Sequence, residues 1–154
     1  MSGNTNVKLP LTKEEKMRLR KAKVKLGQVH NQELDDLALI LDESMDRAKV
    51  IKGVATFQQV PSIGHKLAEK IVYNLGISTL EEIKDESGAQ LLDKLEQNLG
   101  VWTDPCVEDQ IRCVINYANN PKSPRQWFDF TEERNLYRQR NGYPHSRPNK
   151  AWYE

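Results

Sequence analysis

Val60-Pro61-Ser62-Ile63-Gly64-His65-Lys66-Leu67-Ala68 decides how this chain of 154 residues is read. Beyond the turn formers of Pro61–Gly64, the apolar residues Leu67, Ala68, Ile71, Val72 and Leu75 recur at helical spacing. A helix is therefore predicted from about His65 to Asn74, with Gly76 as its stop. A tight turn feeding a helix start leaves several backbone N–H groups unpaired beside the positive end of the helix dipole, which makes a phosphate site. Gly64 lets a phosphate approach closely and Ile63 plugs the turn into the core. Lys66 adds a mobile positive charge, and Lys70, one turn on, extends the same face. Contacts of this kind touch only phosphate. Binding through Ser62, Ile63, Gly64, His65, Lys66 and Lys70 is therefore expected to be sequence-independent and salt-sensitive.

The order of residues resembles the helix-hairpin-helix motif, over about residues 54–75. The usual centre of that motif is Pro-Gly-Ile-Gly, followed by a variable residue, Lys or Arg, and a small residue. Pro61-Ser62-Ile63-Gly64, then His65, Lys66 and Ala68, follow it with one departure: Ser62 stands where the motif has its first glycine. Serine tolerates the turn less well, although its hydroxyl is itself a donor for phosphate. Elements of this kind also serve as packing units and protein-docking surfaces, so a protein-protein adaptor is the alternative to a DNA partner.

Composition sets the frame for the rest. With 38% hydrophobic and 29% charged residues and a mean hydropathy of -0.73, the chain falls with ordinary globular proteins. It lacks a long uncharged stretch, and Met1–Lys13 has no apolar segment of the secretory kind, so a cytoplasmic protein with no membrane contact is expected. Cys106 and Cys113 lie seven positions apart in a predicted helix, about 10 Å by helix geometry, too far to bridge. The net charge of +1 conceals an asymmetry: residues 1–30 carry eight Lys or Arg against two acids, whereas 61–120 carry five against ten. Both ends are basic and the middle is acidic.

Working outward, the capping box of Thr12 and Glu15 opens a Lys- and Arg-rich helix expected to run to about Leu26, with Gly27 as its stop. It has little apolar face, and reads equally as an electrostatic arm or as a solvated tail. Asn31 and Ser44 are the expected caps of two short helices, Leu34–Leu41 and Met45–Ile51, whose acids Asp35, Asp36, Asp42, Glu43 and Asp46 speak against a groove-reading helix-turn-helix. Ser78 and Ser87 mark two further starts, and Asp104-Pro105 opens a helix with Val107, Ile111, Val114 and Ile115 inward. After the linker Pro121–Pro124, Trp127, Phe128 and Phe130 are expected to anchor a last helix capped by Thr131. The final dozen residues look irregular. No strand is predicted. The expected fold is all-α: a basic tail and helix (1–30), a helical core (31–120) and an aromatic and basic C-terminal helix and tail (121–154).

Other chemistry finds little support. Cys106, second in its helix, is placed where the dipole lowers a thiol pKa, but no histidine lies near it in sequence. Two Cys and three His without paired spacing give no metal site, and no phosphate-binding Gly-rich loop or dinucleotide fingerprint is present. The run Glu81, Glu82, Asp85, Glu86 has the pattern of a solvated face. Neither catalysis nor a cofactor is expected. In the C-terminal stretch, Arg138, Arg140 and Arg147 among aromatic residues form a candidate single-strand platform.

From Gly76-Ile77 through Leu80-Glu81-Glu82, Leu99-Gly100-Val101, Asp104-Pro105-Cys106-Val107, Arg112 and Tyr117-Ala118 to Trp127 before Asp129, the chain resembles the small bacterial "pathogenicity locus" helix-hairpin-helix family. The resemblance covers about residues 54–130, and Asp-Pro-Cys-Val is its most specific element. It implies a helical fold and a DNA contact, such as an accessory to repair, recombination or replication would make, but no defined activity. The basic N-terminal helix lies outside it.

Overall fold

A computed structural model describes residues 6–154. The first element, α1 (Lys13–Lys21), opens on the expected capping box: Glu15 N–H donates to Thr12 Oγ1 at 3.0 Å, and Thr12 N–H to Glu15 Oε1 at 2.8 Å. It stops earlier than Leu26. Lys23 turns into the left-handed region at φ 60°, with its N–H on Arg20 O and that of Val24 on Leu19 O. This closure of a helix end normally uses glycine. Gly27 instead falls inside a 3₁₀ turn, Leu26–Asn31, whose Val29 is fully buried.

Helix α2 (Leu34–Leu41) starts at Glu33 rather than Asn31, which ends the preceding turn. Helix α3 (Met45–Phe57) starts at Ser44 as expected, but runs on past Ile51 and through Gly53. A Cβ on Gly53 would lie 3.0 Å from the Ser78 side chain and carbonyl, so this glycine lets the 76–79 loop pack on an unbroken helix. Helix α4 (His65–Glu69) continues from Lys70 to Asn74 with the wider π-type turn, and Gly76 closes it at φ 69°. Then come α5 (Leu80–Ile83), capped by Thr79 one residue after the expected Ser78, α6 (Gly88–Leu99, cap Ser87) and α7 (Pro105–Asn119, cap Asp104). A 3₁₀ turn, Trp127–Phe130, leads into α8 (Thr131–Asn141).

The buried apolar residues form two clusters that share α3. Leu19, Val29, Leu37, Leu41, Ala48 and Ile51 join α1, α2 and the first half of α3. Val54, Phe57, Ile63, Leu67, Ile71, Leu92, Leu95, Ile111, Val114 and Phe130 form the larger one. The N-terminal unit is tied down by polar contacts as well. Glu15, fully buried, meets Arg47 through two oxygens at 2.8 and 3.0 Å, and Lys8 exchanges two backbone hydrogen bonds with the Gln58 side chain.

The C-terminal end is held differently, because α8 buries no residue. Arg138 bonds to Glu108 at 2.9 Å and Asp93 at 3.0 Å, Arg134 to Asp109 at 2.8 Å, and Arg147 to Glu96 at 2.8 Å. Glu96 and Glu108 are fully buried, and Glu96 also accepts from Thr103 N–H and Oγ1. Tyr143 stacks between the guanidinium groups of Arg138 and Arg147, at 4.1 and 3.6 Å. Thr131 is the first residue of α8 rather than its cap, and its hydroxyl donates to Asp109. The last residues are not irregular throughout: Trp102 N–H donates to Lys150 O and Trp152 N–H to Trp102 O, burying Ala151. Among the described residues no helix is long and apolar enough to cross a membrane.

Candidate nucleic-acid interface

Val60 and Ile63, 2% and 3% exposed, pin the turn between α3 and α4 to the larger core, and Ile63 N–H donates to Val60 O at 3.1 Å. Between them Ser62 takes φ 68°, the left-handed conformation that explains why glycine suits this place. Serine is held there by its hydroxyl, which donates to Pro61 O and accepts the Trp127 N–H at 2.9 Å. That hydroxyl, although exposed, is engaged with the chain's own backbone in this structure. Cys113 lies beneath the turn, with Sγ 3.9 Å from Pro61 O and 3.6 Å from Arg125 O. The turn is thus bolted to α7 and to the Trp127 segment.

Gly64 is the N-cap of α4, at φ -96° and ψ -175°, an extended conformation open to any residue. A Cβ built on it would meet no atom within 4 Å. Neither backbone conformation nor internal packing asks for glycine here. His65 and Lys66, half-buried and exposed, are the first two residues of α4, and Lys70 lies one turn on. Neither Lys66 nor Lys70 makes an ion pair among the described residues.

The start of α4 differs from the other α-helix starts among the described residues. Thr12, Ser44, Thr79, Ser87 and Asp104 cap α1, α3, α5, α6 and α7 with a side-chain oxygen. The two other uncapped starts, α2 and α8, carry the acid pairs Asp35, Asp36 and Glu132, Glu133 in their first turns. Helix α4 has neither a side-chain cap nor an acid, and presents histidine and lysine instead. Its first N–H groups have no side-chain acceptor and its positive end faces no acid in the first turn.

The remaining candidates fall away from this place or lose their role. Arg138 and Arg147 are occupied by the buried carboxylates described above, so of the C-terminal arginines proposed as a platform only Arg140 stays exposed without an ion pair among the described residues. The aromatic anchor divides: Phe130 is buried, Trp127 packs partly against the core, and Phe128 is 53% exposed. Sequence reading missed that the Trp127 segment abuts the turn, since the bond joining Trp127 to Ser62 spans 65 positions. Burial and the neighbouring Asp104 push the Cys106 thiol up, not down, and burial pushes Cys113 up to about 11. At neutral pH both are thiols rather than thiolates. Among the described residues no group of three or more His, Cys, Asp or Glu is placed to hold a metal.

Comparison with known proteins adds one finding. No curated protein and no solved structure matches the chain. Residues 50–136, from the middle of α3 through the turn and α7 into α8, match the family described as Pathogenicity locus, and the chain belongs to that family.

Proposed function

We propose that the α3–turn–α4 unit is a helix-hairpin-helix clamp that grips a nucleic-acid backbone without reading its sequence, in a non-catalytic accessory protein. The observation that carries this reading is the start of α4, which has neither capping oxygen nor first-turn acid and has Lys66 at its second position. A lysine there opposes the helix dipole, and an acid would stabilise the helix by about 0.3–1 kcal/mol. The cost is offset when a phosphate sits against the free N–H groups and the Lys66 ammonium reaches it. Gly64 supports the same reading, because the space its missing side chain leaves is on the outside of the fold.

The test is a fluorescence-anisotropy titration of a labelled duplex at two salt concentrations, with Lys66→Glu and Lys70→Glu beside wild type. Saturable, salt-sensitive binding that does not vary with sequence and is weakened in both variants is the expected outcome. Since Lys66→Glu favours the helix, loss of binding there cannot come from unfolding. Absence of binding at low salt would refute the clamp and turn attention to the adaptor role.

A further inference from the structure

We propose that the groove beside the end of α1 is a second nucleic-acid contact, specific for single-stranded segments, so that the protein favours duplexes carrying a single-stranded tail. The groove, about 550 Å³, is lined by the exposed cations Lys16, Arg20, Lys23 and Lys25 and by the apolar side chains of Leu26, which is exposed, Val24, half-buried, and Leu19, buried at its base. Its position, before residue 50, lies outside the family match.

Three observations converge. First, Lys13, Lys16, Arg20, Lys21, Lys23 and Lys25 are all exposed and none makes an ion pair among the described residues, whereas Arg112, Arg125, Arg134, Arg138 and Arg147 each sit on a carboxylate. Lys13, Lys16 and Arg20, at spacings of three and four, share one stripe of α1, and like charges so placed weaken a helix. Second, Lys23 occupies the left-handed position that ends α1, where glycine is the stable choice. The fold carries a strained residue whose only visible asset is a charge lining the groove. Third, α1 is not a loose tail: the buried Glu15–Arg47 pair and Leu19 fix it to α3, the same helix that feeds the turn before α4.

The apolar lining selects the ligand. A duplex keeps its base faces stacked inside and turns phosphates and groove edges outward, whereas a single strand exposes apolar base faces between its phosphates, which apolar side chains beside cations can cover. This inference rests on the clamp only for the duplex half of the preferred substrate; the groove's own contact stands apart from it.

The experiment uses the full chain and three labelled probes: a blunt duplex of about 15 base pairs, the same duplex with a single-stranded tail of about 15 nucleotides, and that tail alone. Wild type is expected to prefer the tailed over the blunt duplex by about tenfold or more. The triple variant Lys16→Gln, Arg20→Gln, Lys23→Gly should bring that preference to about one, and reduce the log–log salt slope on the single strand by about two. Lys23→Gly alone should weaken single-strand binding several-fold while raising the melting temperature, so misfolding cannot be the cause. Lys66→Glu should lower affinity for both duplexes and leave their ratio intact; if it changes neither, the clamp fails while the groove result still stands. An unchanged ratio and slope in the triple variant, or no single-strand binding by wild type at low salt, would overturn the groove. So would equal competition by poly-glutamate at matched charge, which would make it a site for acidic polypeptides.

Discussion

Gly64→Ala separates a glycine kept for a ligand from one kept for the fold. Alanine adopts φ -96° and ψ -175° without strain, and its methyl group would enter open space. Two small effects then oppose each other: the unfolded chain loses entropy, worth about 0.4–1 kcal/mol of stability, and alanine is a poorer helix N-cap than glycine by a similar amount. Stability should stay within about 0.5 kcal/mol, or roughly 2 °C in melting temperature for a domain of this size. Binding should not be spared. A phosphate oxygen held by the first N–H groups of α4 at about 2.9 Å leaves no room for a methyl group on the same face. Losing one charge-assisted hydrogen bond costs about 1.5–3 kcal/mol, an affinity loss of about 10- to 100-fold in the anisotropy titration. The salt slope should hardly move, because no cation is removed, whereas Lys66→Gln should lower it by about one. Unchanged affinity in a stable Gly64→Ala protein would refute phosphate approach at this turn, and a melting temperature lower by more than about 5 °C would refute the open space.

Two further predictions concern the charges inside the fold. Arg47 holds the Glu15 carboxyl well below its ordinary value of 4.5, at about 2, so this pair's contribution is complete above about pH 4.5 and is lost as pH falls through 2. The stability difference between wild type and Glu15→Gln, measured by urea unfolding, should therefore shrink by on the order of 2–3 kcal/mol between pH 5 and pH 2; a difference constant across that window would contradict the pairing. Arg138→Ala should cost about 3 kcal/mol, since it removes one of two partners from the buried Glu108 and one from Asp93, and should lower the melting temperature by about 6–12 °C. Kept cold and folded, the variant should bind nucleic acid as wild type does; weaker binding at full stability would return Arg138 to the interface.

Helix starts were legible in the sequence because capping is local chemistry: Thr12, Ser44, Ser87 and Asp104 each bond an N–H two or three residues on. Ends were harder. The end of α1 was misplaced because lysine, not Gly27, adopts the left-handed closure, and α3 was ended at Ile51, six residues early, because the purpose of Gly53 within it, close packing on Ser78, lies far off in sequence. The C-terminal arginines were misread for the same reason. Arg138 and Arg147 find partners at Asp93, Glu108 and Glu96, 30 to 51 positions away. A signal was present: Glu96 lies four residues after Leu92, and Glu108 three before Ile111, so both acids fall on apolar stripes and had to be paired to be buried.

The residues that resisted a structural explanation are the informative ones. Gly53 is required by packing, Gly76 and Gly100 by positive φ, and Ser62 is held in a left-handed turn by two hydrogen bonds of its own hydroxyl. Each has an internal cause, and none needs a ligand. Gly64, Lys66 and Lys23 have no such cause: an added methyl would be tolerated at the first, an acid preferred at the second, and glycine preferred at the third. Stability alone would replace the two lysines and is indifferent to the glycine. Under the proposed function each would either clear space for an anion or supply charge to one, and they fall at two places, the head of α4 and the α1 groove. Two such places on units joined through α3 suit a ligand that is polyanionic along its length, whereas a single compact anion would need only one of them.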